Sequence, residues 1–198
     1  MAGALFVVVF LVDGATRPGY DPTTMPVSLL AVGDRGWVQT LNFLVDGGLL
    51  AAFTIGLIRA LRDRGTPSIV GPIIIGIVAL GVLGAGIFAT DPGAGFPPGV
   101  PPPSEPSSHD ELHDVVSLLV FAGLPVACFT FAARFASWGE RSFAIYSLIT
   151  GLTLVVTFVG LVVGFNGTGV VQRLFIVVGW GWIAVLPVYL RRSVASGG

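Results

Sequence analysis

The chain has 198 residues, 54% of them hydrophobic and 11% charged, with a mean hydropathy of +0.89 and a net charge of −1. A soluble domain carries about a quarter charged residues, so this composition belongs in a bilayer and not in water. No basic surplus exists to recognise phosphate, which excludes nucleic acid as a partner, and the single cysteine, Cys128, excludes an internal disulfide.

The first apolar run is Ala2–Val12, interrupted by Asp13. At about 1.5 Å per residue such a run is too short to cross a bilayer alone. Either a first helix continues through Asp13-Gly14-Ala15, to give a helix over 2–16, or the natural start lies upstream. The run makes a poor signal peptide, since no basic residue precedes it and no A-x-A site follows. A long connection, Thr16–Gly36, comes next. Five segments then approach the roughly 20 apolar residues that a spanning helix needs. They are Trp37–Ile58, Ile69–Ala89, Leu112–Phe135 within a helix over 110–135, Ser142–Phe165 and Val170–Leu190. The expectation is an all-α integral membrane six-helix bundle, one transmembrane domain over residues 1–198.

The connections differ in character. Arg62–Ser68 and Ala136–Arg141 are short, so the helices they join are antiparallel neighbours. The stretch 91–108 holds seven of the fourteen prolines and favours extended polyproline II over a packed core. Asn166–Gly169 is a tight turn. Charge separates by side as well. Arg59, Arg62, Arg64, Arg134, Arg141, Arg191 and Arg192 share one side with only Asp63 and Glu140. The other side sets Arg17, Arg35 and Arg173 against eight carboxylates. The arginine-rich side is therefore expected in the cytoplasm, with both termini. Ten arginines and no lysines suit a GC-rich bacterial genome, hence a bacterial inner membrane.

Within the helices, Gly81, Ala85 and Ala89 form a small-residue stripe that lets a neighbouring backbone approach. Thr150, Thr153 and Thr157, with Ser147, form a hydroxyl stripe that either bonds its own helix or lines a path. Asp46 lies mid-span with Asn42 one turn before it. A carboxylate at that depth faces the bundle interior or water. One reading is a neutral Asp46 bonded to Asn42 or a helix-five threonine; the other is a proton or cation relay.

The only histidines, His109 and His113, stand four apart in Ser108-His109-Asp110-Glu111-Leu112-His113-Asp114. Ser108 and Glu111 read as an S-x-x-E capping box with Ser108 as the N-cap, and the early carboxylates suit the positive helix end. Two histidines at i and i+4 can also hold one metal ion, as in H-E-x-x-H helices. Here Asp110 replaces the glutamate, and the inverted H-x-x-E-H form fails at Leu112. A divalent metal held by His109, His113 and Asp91 competes with simple capping and loop anchoring. Arg173, opening the last helix on the acidic side, is expected to pair with an aspartate, since a buried arginine without a carboxylate is costly. Tyr20-Asp21-Pro22 and Thr90-Asp91-Pro92 read as turns.

Arg17-Pro18-Gly19-Tyr20-Asp21-Pro22, Pro26-Val27-Ser28, Gly36-Trp37-Val38-Gln39, Asn42-Phe43, Gly86-Ile87-Phe88, Thr90-Asp91-Pro92, Arg134-Phe135, Tyr146-Ser147-Leu148 and Gln172-Arg173 together point to a family. With a histidine opening the helix near His109 or His113, they resemble bacterial and archaeal membrane proteins known as domain of unknown function 998. The resemblance covers nearly the whole chain. It implies a six-helix membrane protein with polar positions mainly on one face, a fuller first helix, and an uncharged residue where Asp46 stands. It brings no activity.

The leading expectation is a binding or accessory membrane protein with a polar site at its external mouth. Its candidate residues are Tyr20, Asp21, Asp91, His109, His113 and Arg173, with Asp46 below. Its partners are the lipid bilayer and other membrane-protein subunits. The rivals are a metal-dependent hydrolase of a lipid or envelope substrate, with Asp110 or Asp114 as base, and a proton-coupled transporter using Asp46.

Overall fold

A computed structural model of the chain describes residues 2–63, 68–164 and 167–195, with Ala2 and residues 191–195 described by backbone only. Six α-helices are present among them: α1 (Ala2–Thr16), α2 (Gly36–Asp63), α3 (Val70–Ile87), α4 (Ser108–Ser137), α5 (Arg141–Val162) and α6 (Thr168–Ala195). A short 3-10 helix, Val27–Ala31, lies between α1 and α2. Five helices, α2 to α6, are long and apolar enough to cross a membrane, and α1 is a shorter apolar helix. The all-helical membrane bundle read from composition is the observed architecture.

Helix ends have local causes. Asp13 does not stop α1, which runs on to Thr16, because both of its oxygens find arginines within the fold. α3 ends at Ile87, two residues earlier than the expected Ala89. Pro92 follows, and its ring would clash with the Phe88 carbonyl if the helix went on. α5 ends at Val162, before the expected 165, with Gly164 at φ +68 just beyond; a left-handed glycine is the usual helix stop. Phe165, Asn166 and Arg64, and the side chains of Arg191 and Arg192, lie outside what is described, so the tight turn and those three charges are left there.

The main helix contacts join α1 to α2, α2 to α3, α3 to α4, α4 to α5, α5 to α6, and α6 back to α1. The six helices thus close a ring in sequence order. Phe6, Phe10, Phe43, Phe175, Trp180 and Trp182 fill its interior. Only 28% to 56% of each spanning window is buried, and Leu80, Val156 and Val162 are more than half exposed, as lipid-facing positions require. The small-residue stripe of α3 faces α4 in part, since Ala89 lies beyond the helix end and is exposed. A Cβ on Gly81 would stand 2.7 Å from the Val116 carbonyl oxygen, and one on Gly84 2.8 Å from Val116 Cγ1, so α4 lies directly on this face. The hydroxyl stripe of α5 is engaged in local bonds. Thr153 donates to Ile149 and Thr157 to Thr153 within the helix, while Ser147 accepts a 2.9 Å bond from Trp182 Nε1.

Candidate functional site

The candidate residues gather where α1, α3 and α5 end and α2, α4 and α6 begin. Two connections fold over this acidic end. The first is fixed to α6: Gln172 accepts a 2.6 Å bond from the Val27 N–H, and Thr168 donates to the Thr24 carbonyl. Val27, Leu29 and Leu30 of the 3-10 helix are buried beneath it. The second is fixed to the first through Phe96, whose ring meets Tyr20 edge-on at 5.5 Å and lies 5.8 Å below the Arg17 guanidinium. Gly19, at φ +77, packs against Pro98 in a conformation and space that admit no side chain.

Asp13, Arg17 and Arg35 form the strongest electrostatic group. Asp13 is 2% exposed, with Oδ2 2.8 Å from Arg17 and Oδ1 2.7 Å from Arg35. Arg17 also donates to the carbonyls of Leu30, Val32 and Arg35, so it gathers the first connection onto α1. Sequence reading placed these three on one side without pairing them. The four-residue spacing of Asp13 and Arg17 was the available signal.

Tyr20 and Arg173 do meet, at 2.6 Å, with the guanidinium donating to the phenol oxygen. The expected carboxylate partner of Arg173 is replaced by carbonyls: its other donor group reaches Met25 and Gly169, and Phe10 and Tyr20 present ring faces to it. A planar cation over aromatic faces with carbonyl acceptors needs less help from a carboxylate. Burial pushes the Tyr20 phenol up from its ordinary value, with the Arg173 charge opposing. Asp21 is a turn cap. Thr23, through hydroxyl and N–H, and Thr24, through its hydroxyl, hold its carboxyl below the usual carboxylate value.

The helix start of α4 corrects the expected cap by one residue. Ser107, not Ser108, is the N-cap, and its oxygen accepts from the Asp110 N–H. The reciprocal partner comes from the other side of the loop. Asp91 accepts from both the N–H and the hydroxyl of Ser107, at 2.7 and 2.8 Å. Asp110 in turn accepts from the Thr90 hydroxyl and the Asp91 N–H. Two carboxylates, each reaching across, clamp the 91–107 loop shut. Sequence spacing pointed to the neighbouring S-x-x-E because it could not see Asp91 arriving from 16 residues away.

Both histidines attach to Phe88, the residue just past the end of α3. His113 is buried, and its Nδ1 lies 2.7 Å from the Phe88 carbonyl. His109 is exposed and meets the Phe88 ring edge-on at 5.8 Å. A carbonyl only accepts, so His113 carries its proton on Nδ1 and Nε2 is the nitrogen left over. Asp91 has both oxygens on Ser107. Among the described residues, no three His, Cys, Asp or Glu side chains are grouped as a metal ion requires.

Space opens here in two places among the described residues. An open groove of about 340 Å³ lies between the two connections, lined by Pro26, Leu29, Thr90, Asp91, Pro102 and Asp110 among others. A smaller cavity of about 50 Å³ lies within the ring, lined by His113, Ser117, Gln172 and Trp180 among apolar neighbours. Asp46 is bonded to neither Asn42 nor a threonine. Trp180 Nε1 donates to its Oδ2 at 2.7 Å, and Asn42 turns to the Phe6 carbonyl and Gln39. Asp46 therefore stays apart from the loop residues expected to work with it. Tyr20 and Arg173 form one group, and Asp91 with Ser107 and Asp110 another.

A family model described as a protein of unknown function, DUF998, matches residues 1–189. No curated protein and no solved structure matches the chain.

Proposed function

The chain belongs to the DUF998 family of proteins of unknown function, and from that premise we propose a binding or accessory protein of the bacterial inner membrane. Both termini lie in the cytoplasm in this reading, and the acidic end faces outward. The arginine distribution supports that orientation, since Arg59, Arg62, Arg134 and Arg141 sit at the opposite ends of the helices from Asp21, Asp91 and Glu111.

The groove carries the proposal. Its volume of about 340 Å³ falls in the range of about 300–1,000 Å³ typical of ligand sites. Its walls are stiff, because prolines fix their own backbone and the Asp91 and Asp110 bonds hold the loop to α4. Carboxylates on the rim favour a cationic occupant: an amine-bearing small molecule or a basic segment of another membrane protein. Carboxylates engaged in structural bonds suit holding a wall in place better than reacting.

The test is a thermal-shift titration of the intact chain in mild detergent with a polyamine, a quaternary amine and a basic peptide. A ligand that binds only the folded state raises the melting temperature. Gly93→Trp is the control, since Gly93 lines the groove and a Cβ there meets nothing closer than 4.0 Å. At least one cation should stabilise the parent and not the variant. No shift with any of them, or equal shifts in both proteins, would refute the groove as the site.

A further inference from the structure

Asp46 is 2% exposed in the middle of α2. Its Oδ2 accepts the Trp180 N–H, while Oδ1 has no hydrogen-bond partner. No cation faces it. α1 offers only Asp13 as a titratable group, held by Arg17 and Arg35. α3 contains none. On α6 the described titratable side chains are Arg173, bonded to Tyr20 and to the Met25 and Gly169 carbonyls, and Tyr189, which stacks on Phe143 at the far end. A single neutral N–H does not offset the cost of a carboxylate charge at this depth.

A second orphan lies on the same face of α2. Gln39 is fully buried and its Nε2 also has no partner, although its Oε1 accepts from Asn42. Two unpartnered polar groups seven residues apart on one helix face mark a place where water completes the bonding. The interior cavity adjoins this place through Trp180, although Asp46 and Gln39 are not themselves among its lining residues. Trp180, the donor to Asp46, lines it, and so do His113, Ser117 and Gln172. Its volume of about 50 Å³ admits a few waters at about 10–15 Å³ each.

We propose that Asp46 is a membrane-embedded proton-binding site, neutral at pH 7, which exchanges its proton with the outside through water in the cavity beneath the folded connections. The Trp180 N–H bonds the carbonyl oxygen of the neutral acid, and Oδ1 carries the proton and meets water. This site is separate from the groove and stands or falls independently of it.

The experiment is infrared spectroscopy of the intact chain in phospholipid vesicles at pH 7. The parent should show a carboxylic-acid carbonyl band that Asp46→Asn removes. Loss of a carboxylate band instead would overturn the proposal. Trp180→Phe provides a second readout: the acid band should remain and move, because its hydrogen bond is gone. An unmoved band would show that Asp46 is not its source. Transfer into heavy water tests the route. Ser117→Leu, which fills the cavity, should slow exchange of the Asp46 proton at least tenfold, and an unchanged rate would exclude the cavity as the path.

Discussion

Asp13→Asn tests whether the acidic end is held by charge or only by packing. Asp13 is 2% exposed, and its two oxygens lie 2.8 Å from Arg17 and 2.7 Å from Arg35. Removing one partner of a buried ion pair costs about 3–5 kcal/mol, because the other charge is left buried. Arg17 keeps three carbonyl acceptors, Leu30, Val32 and Arg35, which places the Arg17 share near the lower bound. The Arg35 side chain is 45% exposed, and such a pair adds only about 0.2–1 kcal/mol. The expected loss is therefore about 3 kcal/mol, roughly a hundredfold in the folding equilibrium. Reversible unfolding in mixed detergent micelles measures it. The double variant Asp13→Leu with Arg17→Met removes both buried charges together, so it should be more stable than Asp13→Asn. A loss under about 1 kcal/mol for Asp13→Asn, or a double variant that is less stable still, would refute the argument.

Ser107→Ala removes the α4 cap and the partner of Asp91; the expected cost is about 1–2 kcal/mol, with earlier amide exchange in residues 91–107 by mass spectrometry. Gly81→Val places atoms against the Val116 carbonyl and Val120, where even a Cβ comes within 2.8 Å. Overpacking of this kind costs about 1–3 kcal/mol, and the unfolding midpoint should fall accordingly. Acid reads the Asp21 cap. Its folded pKa lies below the ordinary 3.8, so its stabilisation is complete above that value and lost as pH falls through the lower one. Asp21→Asn should flatten the acid limb of a stability profile below pH 3.8 relative to the parent, and an unchanged limb would dismiss the cap. In a Cys128→Ala background, an impermeant thiol reagent should label Glu105→Cys on intact cells and leave Asp63→Cys unlabelled, as the outward acidic end requires.

Much of the bundle was legible because its cause is local. Length and hydropathy mark a spanning segment wherever it sits, and the five long helices appear close to their expected places. The ends shifted where one residue decides, as at Pro92 and Gly164. The site was legible as a set of polar positions and illegible as an arrangement. Arg173 went to Tyr20 and not to an aspartate, the histidines went to Phe88, Asp91 went to Ser107, and Asp46 went to Trp180. Trp180 and Ser107 had no signal of their own, since a tryptophan in an apolar chain is ordinarily only packing, and Thr90 and Gln172 stood out in family motifs without any sign of their partners.

The His109–His113 pair shows the division most clearly. Spacing alone places two imidazoles on one helix face, a geometry that serves a metal and an anchor equally well. The choice between them depends on what stands opposite, and here that is the end of α3, about 25 residues earlier in the chain. Composition, span length and charge asymmetry are sums or periods over neighbouring residues, and so the sequence by itself determined a helical membrane bundle with one acidic end. Hydrogen-bond partners in a bundle come from other helices, at separations set by how the ring closes. Only the tertiary structure decided which carboxylates clamp a loop, which arginine is buried, and which acid is left with an oxygen that nothing meets.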